Sequence, residues 1–178
     1  MMVVRSISTR SSGVSAISPP EDHAMVKTLC GGAALFALVA LATAAEPIKV
    51  DLKTAKWKSA SGPNLGGYDE NDSRFFMYAI GACEVEVEIP ADGDYTVIVE
   101  ASCTAAEKEM ARYKLTAGEE VIAKEVVLKA EEAKEYSSPG PLKKGKVKLA
   151  IEFLNDKYKE GEYDLNLFIH GIRIVAKK

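Results

Sequence analysis

Asp156 and Asp164 bracket a short charged stretch, Lys-Tyr-Lys-Glu-Gly-Glu-Tyr, and an apolar run lies on each side of them. Two carboxylates so placed suit the binding of a hard cation. If the flanking runs pair as a hairpin, residues at the ends of its loop lie about 5 Å apart across the ladder. Ca²⁺ takes carboxylate and carbonyl oxygens at roughly 2.3–2.6 Å, so both aspartates could grip one ion while loop carbonyls complete its shell. Glu160, Glu162 and Asn166 are further oxygen donors, and Gly161 lets the loop turn sharply. An EF-hand is excluded. Counting from Asp156, the third position is Tyr158 and the twelfth is Leu167, where that motif needs an oxygen ligand and a bidentate glutamate. The same residues also read as an acidic, solvated hairpin loop.

Asn155-Asp156, a Gly-containing loop, and Asp164-Leu165-Asn166-Leu167 leading into an alternating run together resemble the C-terminal signature of calcium-dependent xylan-binding carbohydrate modules. That resemblance implies a β-sandwich jelly roll in which loop aspartates hold Ca²⁺ and vicinal hydroxyls of a sugar chelate the ion. It implies Asp156 and Asp164 as calcium ligands, with Asn155 and Asn166 supporting them. The chain departs from the family pattern at Leu165, where an arginine is usual, and in its longer, more charged loop 157–163.

Other chemistry is thinner. Sugars pack C–H faces on aromatic rings, and Tyr158 and Tyr163 flank the acidic pair, so they and Glu160 are the expected ligand contacts. Trp57, Tyr68, Phe75, Phe76 and Tyr78 also fall near loops or strand edges, and for the last three a place in the core is the expectation. The loop 64–73 carries Asp69, Glu70 and Asp72 and reads as a solvated turn, with a second structural cation as the alternative. His170 reads as a satisfied strand residue with no nucleophile-base constellation around it. No motif supports paired carboxylates for glycoside hydrolysis, so no enzymatic activity is expected.

The elements that must position these groups read as strands. From Cys83 to Ile89 every odd position is apolar and every even one is glutamate, which is the period of a strand with one buried face. Turn residues 90–94 follow, and alternation resumes through Tyr95, Val97, Val99 and Ala101. Val147, Leu149, Ile151 and Phe153 repeat the pattern. In the last run it shifts at Gly171, where a lone glycine marks a bulge. Residues 107–136 have mixed signals. Ile122, Val126, Ala130 and Ala133 fall at helical spacing, yet the resemblance implies strands, and strong strands on both sides need partners. Residues 137–141, Ser-Ser-Pro-Gly-Pro, read as a loop. The expected fold is all-β: an antiparallel, jelly-roll-like sandwich of roughly eight strands.

Met25-Val-Lys27, an apolar run over 29–41 and Ala42-Thr-Ala-Ala45 before Glu46-Pro47 describe a secretory signal peptide over residues 25–45. Residues 1–24 are Ser-rich and aperiodic, as an over-extended translation start would be, and 46–178 form the single domain. Without the leader the chain has 20 basic and 24 acidic residues, a net charge of −4, which argues against nucleic acid. Cys83 and Cys103 then remain on consecutive strands. Paired as a hairpin about the 90–94 turn, they would lie one diagonal step apart on one face, close enough for a disulfide, with two buried thiols as the alternative. The expectation is a secreted, periplasmic or cell-surface monomer that is not membrane-bound after cleavage. It would bind a xylan- or galactan-like polysaccharide through calcium, without catalysis. The other functional class is a structural or protein–protein sandwich module that binds no sugar.

Overall fold

The computed structural model describes residues 46–177. The expected leader, 25–45, and the segment before it lie outside the described residues. The strands run in order as β1 (Ile48–Lys49), β2 (Lys56–Lys58), β3 (Gly66–Asp69), β4 (Arg74–Met77), β5 (Gly81–Ile89), β6 (Gly93–Cys103) and β7 (Arg112–Ala117). They continue as β8 (Glu120–Val127), β9 (Lys134–Leu142), β10 (Gly145–Phe153), β11 (Lys157–Lys159), β12 (Tyr163–Leu165) and β13 (Leu167–Ala176). One sheet has the order β3-β4-β13-β6-β9, with β1 also on β13; the second is β2-β5-β10-β7-β8; β11 and β12 form a separate ribbon. Every pairing is antiparallel. The sandwich expected from alternation is the fold found, but with thirteen strands among the described residues rather than roughly eight. The excess comes from strands of two to four residues, too short for a periodicity signal.

The long strands obey their alternation. Cys83, Val85, Val87 and Ile89 are buried while Glu86 and Glu88 face water, and Val97, Val99, Leu149, Ile151 and Phe153 meet them in the core. Burying a side chain of this size is worth about 1.5–3 kcal/mol, so a few such rows hold the sheets together. The shift in the last strand is a bulge between Ile169 and Gly171. Residues 107–136 contribute strands, β7, β8 and the start of β9, and no helix. The expected 137–141 loop is instead part of β9. That strand lies at the sheet's edge and pairs only with β6, so Pro139 and Pro141 can keep their missing N–H groups on the open side.

Two expected hairpins are not there. β5 and β6 follow one another through the 90–92 turn but belong to opposite sheets. Cys83 therefore pairs across to Trp57 and Ile151, and Cys103 to Leu167. The hairpin ladder that would bring them together does not exist, and the Cys103 thiol donates instead to Ala130 O at 3.7 Å. Both cysteines are free and buried, which corrects the expected Cys83–Cys103 bridge. Burial, with the charge of Glu84, pushes the Cys83 thiol up to about 12. Likewise β10 and β13 do not pair with each other. They sit in different sheets, and the charged stretch between them folds into its own ribbon, β11–β12.

Trp57 is a packing residue. Its indole lies between Gly66 and Gly81, where a Cβ at either position would collide with the ring, and its Nε1 donates to Gly62 O at 2.9 Å. A second local feature is strained. Glu107 and Lys108 form a two-residue turn between Ala106 and Glu109, both with positive φ (51° and 70°), a conformation that suits Asn-Gly. Left-handed backbone costs a non-glycine residue roughly 1–2 kcal/mol. Lys108→Gly is accordingly expected to raise stability by about 1 kcal/mol, read as a shift in the urea midpoint at constant slope.

Candidate metal and ligand site

The β11–β12 ribbon turns through 160–162, with Gly161 at φ 73°, and pairs Lys159 with Tyr163, Tyr158 with Asp164 and Lys157 with Leu165. Asp156 and Asn166 are the residues just beyond its last pair, Lys157 with Leu165. Tyr158 and Asp164, being opposite, share one side of the ribbon; Asp156 is close enough to feel the charge of Asp164, and Asn166 Nδ2 reaches Asp164 O. The structure thus gathers both aspartates and Asn166, although by a ribbon of the loop itself and not by the long strands. Leu165 points the other way into the core, fully buried, which accounts for an apolar residue where the family has arginine.

The acceptors gathered here are short of donors. Asp156 Oδ1 and Asn166 Oδ1 are buried and have no hydrogen-bond partner. Burial, and then the charge of Asp164, holds the Asp156 carboxyl above the usual carboxylate range, partly offset by the Lys157 N–H. Asn166 is fixed at its other atoms: its N–H donates to Thr104 Oγ1 at 2.8 Å and Nδ2 to Asp164 O at 3.4 Å. Thr104 returns its own N–H to Asn166 O at 3.2 Å and its hydroxyl to Asp164 O. Two buried acceptors without donors, beside a second carboxylate, form an oxygen set that fits a hard cation. Among the described residues no three of His, Cys, Asp or Glu converge, so amide and carbonyl oxygens would have to supply the remainder.

The other expected site residues are placed differently. Asn155 is buried, with Oδ1 accepting from Arg112 N at 2.7 Å and Nδ2 donating to Met110 O at 3.0 Å. Both ends of its amide are committed to backbone, so it anchors the start of the ribbon to the segment before β7. Tyr158 is 68% exposed on the acidic face. Tyr163 is half-buried against the core on the opposite face, and Glu160 stands exposed in the turn. Lys157 reaches Glu109 at 2.7 Å and Glu107 at 3.5 Å, tying the ribbon's back to the strained 107–108 turn.

In the 64–73 segment each acidic residue has a protein partner: Asp69 Oδ1 accepts from Asn71 N at 2.9 Å, Asp72 pairs with Arg74 at 2.6 Å, and Glu70 with Lys53 at 3.8 Å. The segment expected as a loop is in part strand, β3, and only residues 70–73 form the turn to β4. His170 Nε2 and Ser102 Oγ share a hydrogen bond at 2.7 Å on the outer face of the β13 sheet. Burial lowers the imidazole pKa and favours its neutral form. One contributor escapes sequence reasoning, and two aromatics expected in the core, Phe76 and Tyr78, are not there. Thr104 clamps the ribbon from a remote strand end with no local signal. Phe76 and Tyr78 face outward; period 2 from Phe75 and Met77, both buried, would have shown it.

Residues 96–178 match the model of the family CBM60, Ca-dependent carbohydrate-binding module, xylan-binding. Among solved structures the chain is similar to the CBM36-1 domain of a multidomain xylanase from the hindgut metagenome of Trinervitermes trinervoides. The identity is 13% and the TM-score 0.54, covering 75% of this chain and 99% of that one. It is similar also to a CBM36 module in complex with calcium and xylotriose (9%, TM-score 0.51, covering 75% and 100%). The GH26-CBM35 β-(1,4)-mannanase of Podospora anserina is a third (11%, TM-score 0.51), matching 74% of this chain over 28% of that one. At such identities the likeness speaks for the fold. No curated protein matches the sequence. Over residues 96–178, then, the chain matches the calcium-dependent xylan-binding carbohydrate-binding modules, the family that its residues around Asp156 and Asp164 resemble.

Proposed function

We propose that this protein is a non-catalytic module that binds a xylan-type polysaccharide through a calcium ion held on the acidic face of the β11–β12 ribbon. The observation that carries the reading is the pair of buried, donor-less oxygens, Asp156 Oδ1 and Asn166 Oδ1, beside Asp164. Asp156 and Asp164 would supply the charge, and Asn166, held in place by Thr104, a neutral oxygen. A bound ion would offer coordination positions to adjacent hydroxyls of a sugar, so the spacing of equatorial diols, as in xylose or galactose units, would set specificity. Tyr158 stands exposed on the same face to pack on the sugar's C–H surface. The family match supports carbohydrate as ligand class and calcium as cofactor. Export through the 25–45 leader, a cell-surface or extracellular location and a monomeric state belong to the same reading.

Retardation of the protein in native gels containing xylan tests it. Mobility is expected to fall with xylan in calcium buffer and to recover fully in EDTA. Retardation that persists in EDTA would transfer binding to an aromatic platform, and none with any glycan would favour a protein-interaction module.

A further inference from the structure

The outer face of the β13 sheet carries aromatic rings beside the ribbon. With Phe75 and Met77 inward, β4 turns Arg74 and Phe76 outward, and Tyr78 continues the ladder through its N–H to Leu65 O at 2.7 Å. On β13, Phe168 pairs with Phe76. Phe76 and Tyr78 stack with centroids 4.6 Å apart, and Tyr78 meets Phe168 edge-on at 6.1 Å. The Arg74 guanidinium lies 4.1 Å over Phe168, braced by Asp72. Phe168 is buried, whereas Tyr78 is 42% exposed.

This shelf adjoins the site already described. Leu167 pairs with Met77, and Tyr78 and Asn166 are the residues that follow and precede that pair, at the end of the ladder. Exposed tyrosines thus adjoin the site from two elements, Tyr158 on the ribbon, paired with Asp164, and Tyr78 on the sheet, next to the pair that follows Asn166. One exposed ring with Ile80 beside it falls far short of the ~800 Å² that each partner of a stable protein complex buries. It is the right size for one sugar ring, and Arg74 and the Ser102–His170 pair put hydrogen-bonding groups along its border.

We infer that Tyr78, backed by Phe76 and Phe168, takes a neighbouring unit of the same polysaccharide whose diol occupies the Asp156–Asp164 site. The inference rests on the proposed function and adds a direction: the chain runs from the ribbon across the sheet's outer face. Ligand length, and not only diol geometry, then governs affinity.

Calorimetric titration of the protein in calcium with xylose, xylotriose and xylohexaose tests this. Wild type should bind the hexaose more tightly than the monosaccharide. Tyr78→Ala should lose about tenfold on xylohexaose and little on xylose, and Tyr78→Phe should keep the ring and the affinity. Tyr78→Leu, which preserves apolar bulk without a ring face, gives the same readout should the alanine variant be unstable. Unchanged binding of every ligand by Tyr78→Ala and Tyr78→Leu overturns the inference while EDTA-sensitive binding upholds the ion site. An equal loss on xylose and xylohexaose overturns it as well. If no sugar binds wild type in calcium, the ion-site reading itself has failed.

Discussion

Asn155→Ala is expected to destabilise the fold by about 2–4 kcal/mol, by the same amount in EDTA and in calcium. The side chain is buried and satisfies two backbone groups of another segment, Arg112 N–H and Met110 C=O. Its removal strands both, and each unsatisfied buried group costs about 1–3 kcal/mol. Urea denaturation in the two buffers checks this. A loss confined to calcium buffer would make Asn155 an ion ligand and contradict its assignment as an anchor.

Asp156→Asn is expected to act in opposite directions with and without the ion. In wild type, ~10 mM calcium should add roughly 1.5–3 kcal/mol by mass action, given the 10⁻⁴–10⁻³ M affinities of extracellular calcium modules. The variant should show almost none of that increase. In EDTA, however, it should melt above wild type. Burial and Asp164 raise the Asp156 pKa in the folded state above its unfolded value, so the ionised carboxylate opposes folding. That cost is present above the folded pKa and is relieved as pH falls through it, so the EDTA difference should shrink on acidification. Thermal melts of both proteins, with calcium and with EDTA, at neutral and mildly acidic pH give the comparison. A variant that melts below wild type in EDTA would show that Asp156 is satisfied by the protein alone.

The strands that carry the core were legible because their period is strict: Cys83 to Ile89 and Val147 to Phe153 have one buried face and one wet face. The Gly171 bulge was legible for the same reason, as a break in that period. Partner choice was not. A turn such as 90–92 can close a hairpin or carry the chain to the opposite sheet, and local residues do not distinguish the two. The Cys83–Cys103 bridge was expected from that hairpin and is absent together with it. Prolines 139 and 141 concealed a strand because they are tolerable only at an edge, and edges are set by the whole sheet. Of the proposed site, Asp156, Asp164 and Asn166 are the residues that spacing along the chain singles out. The work of Asn155, Thr104 and Tyr78 depends on residues remote in sequence, at 110–112, 164–166 and 168.

The direct test of an ion-held sugar site is titration of xylotriose into the protein at a series of fixed calcium concentrations. If the ion is the contact, binding is linked: calcium tightens the sugar by the factor by which the sugar tightens calcium, and affinity vanishes in EDTA. A xylotriose affinity that stays the same from EDTA to saturating calcium would contradict the account.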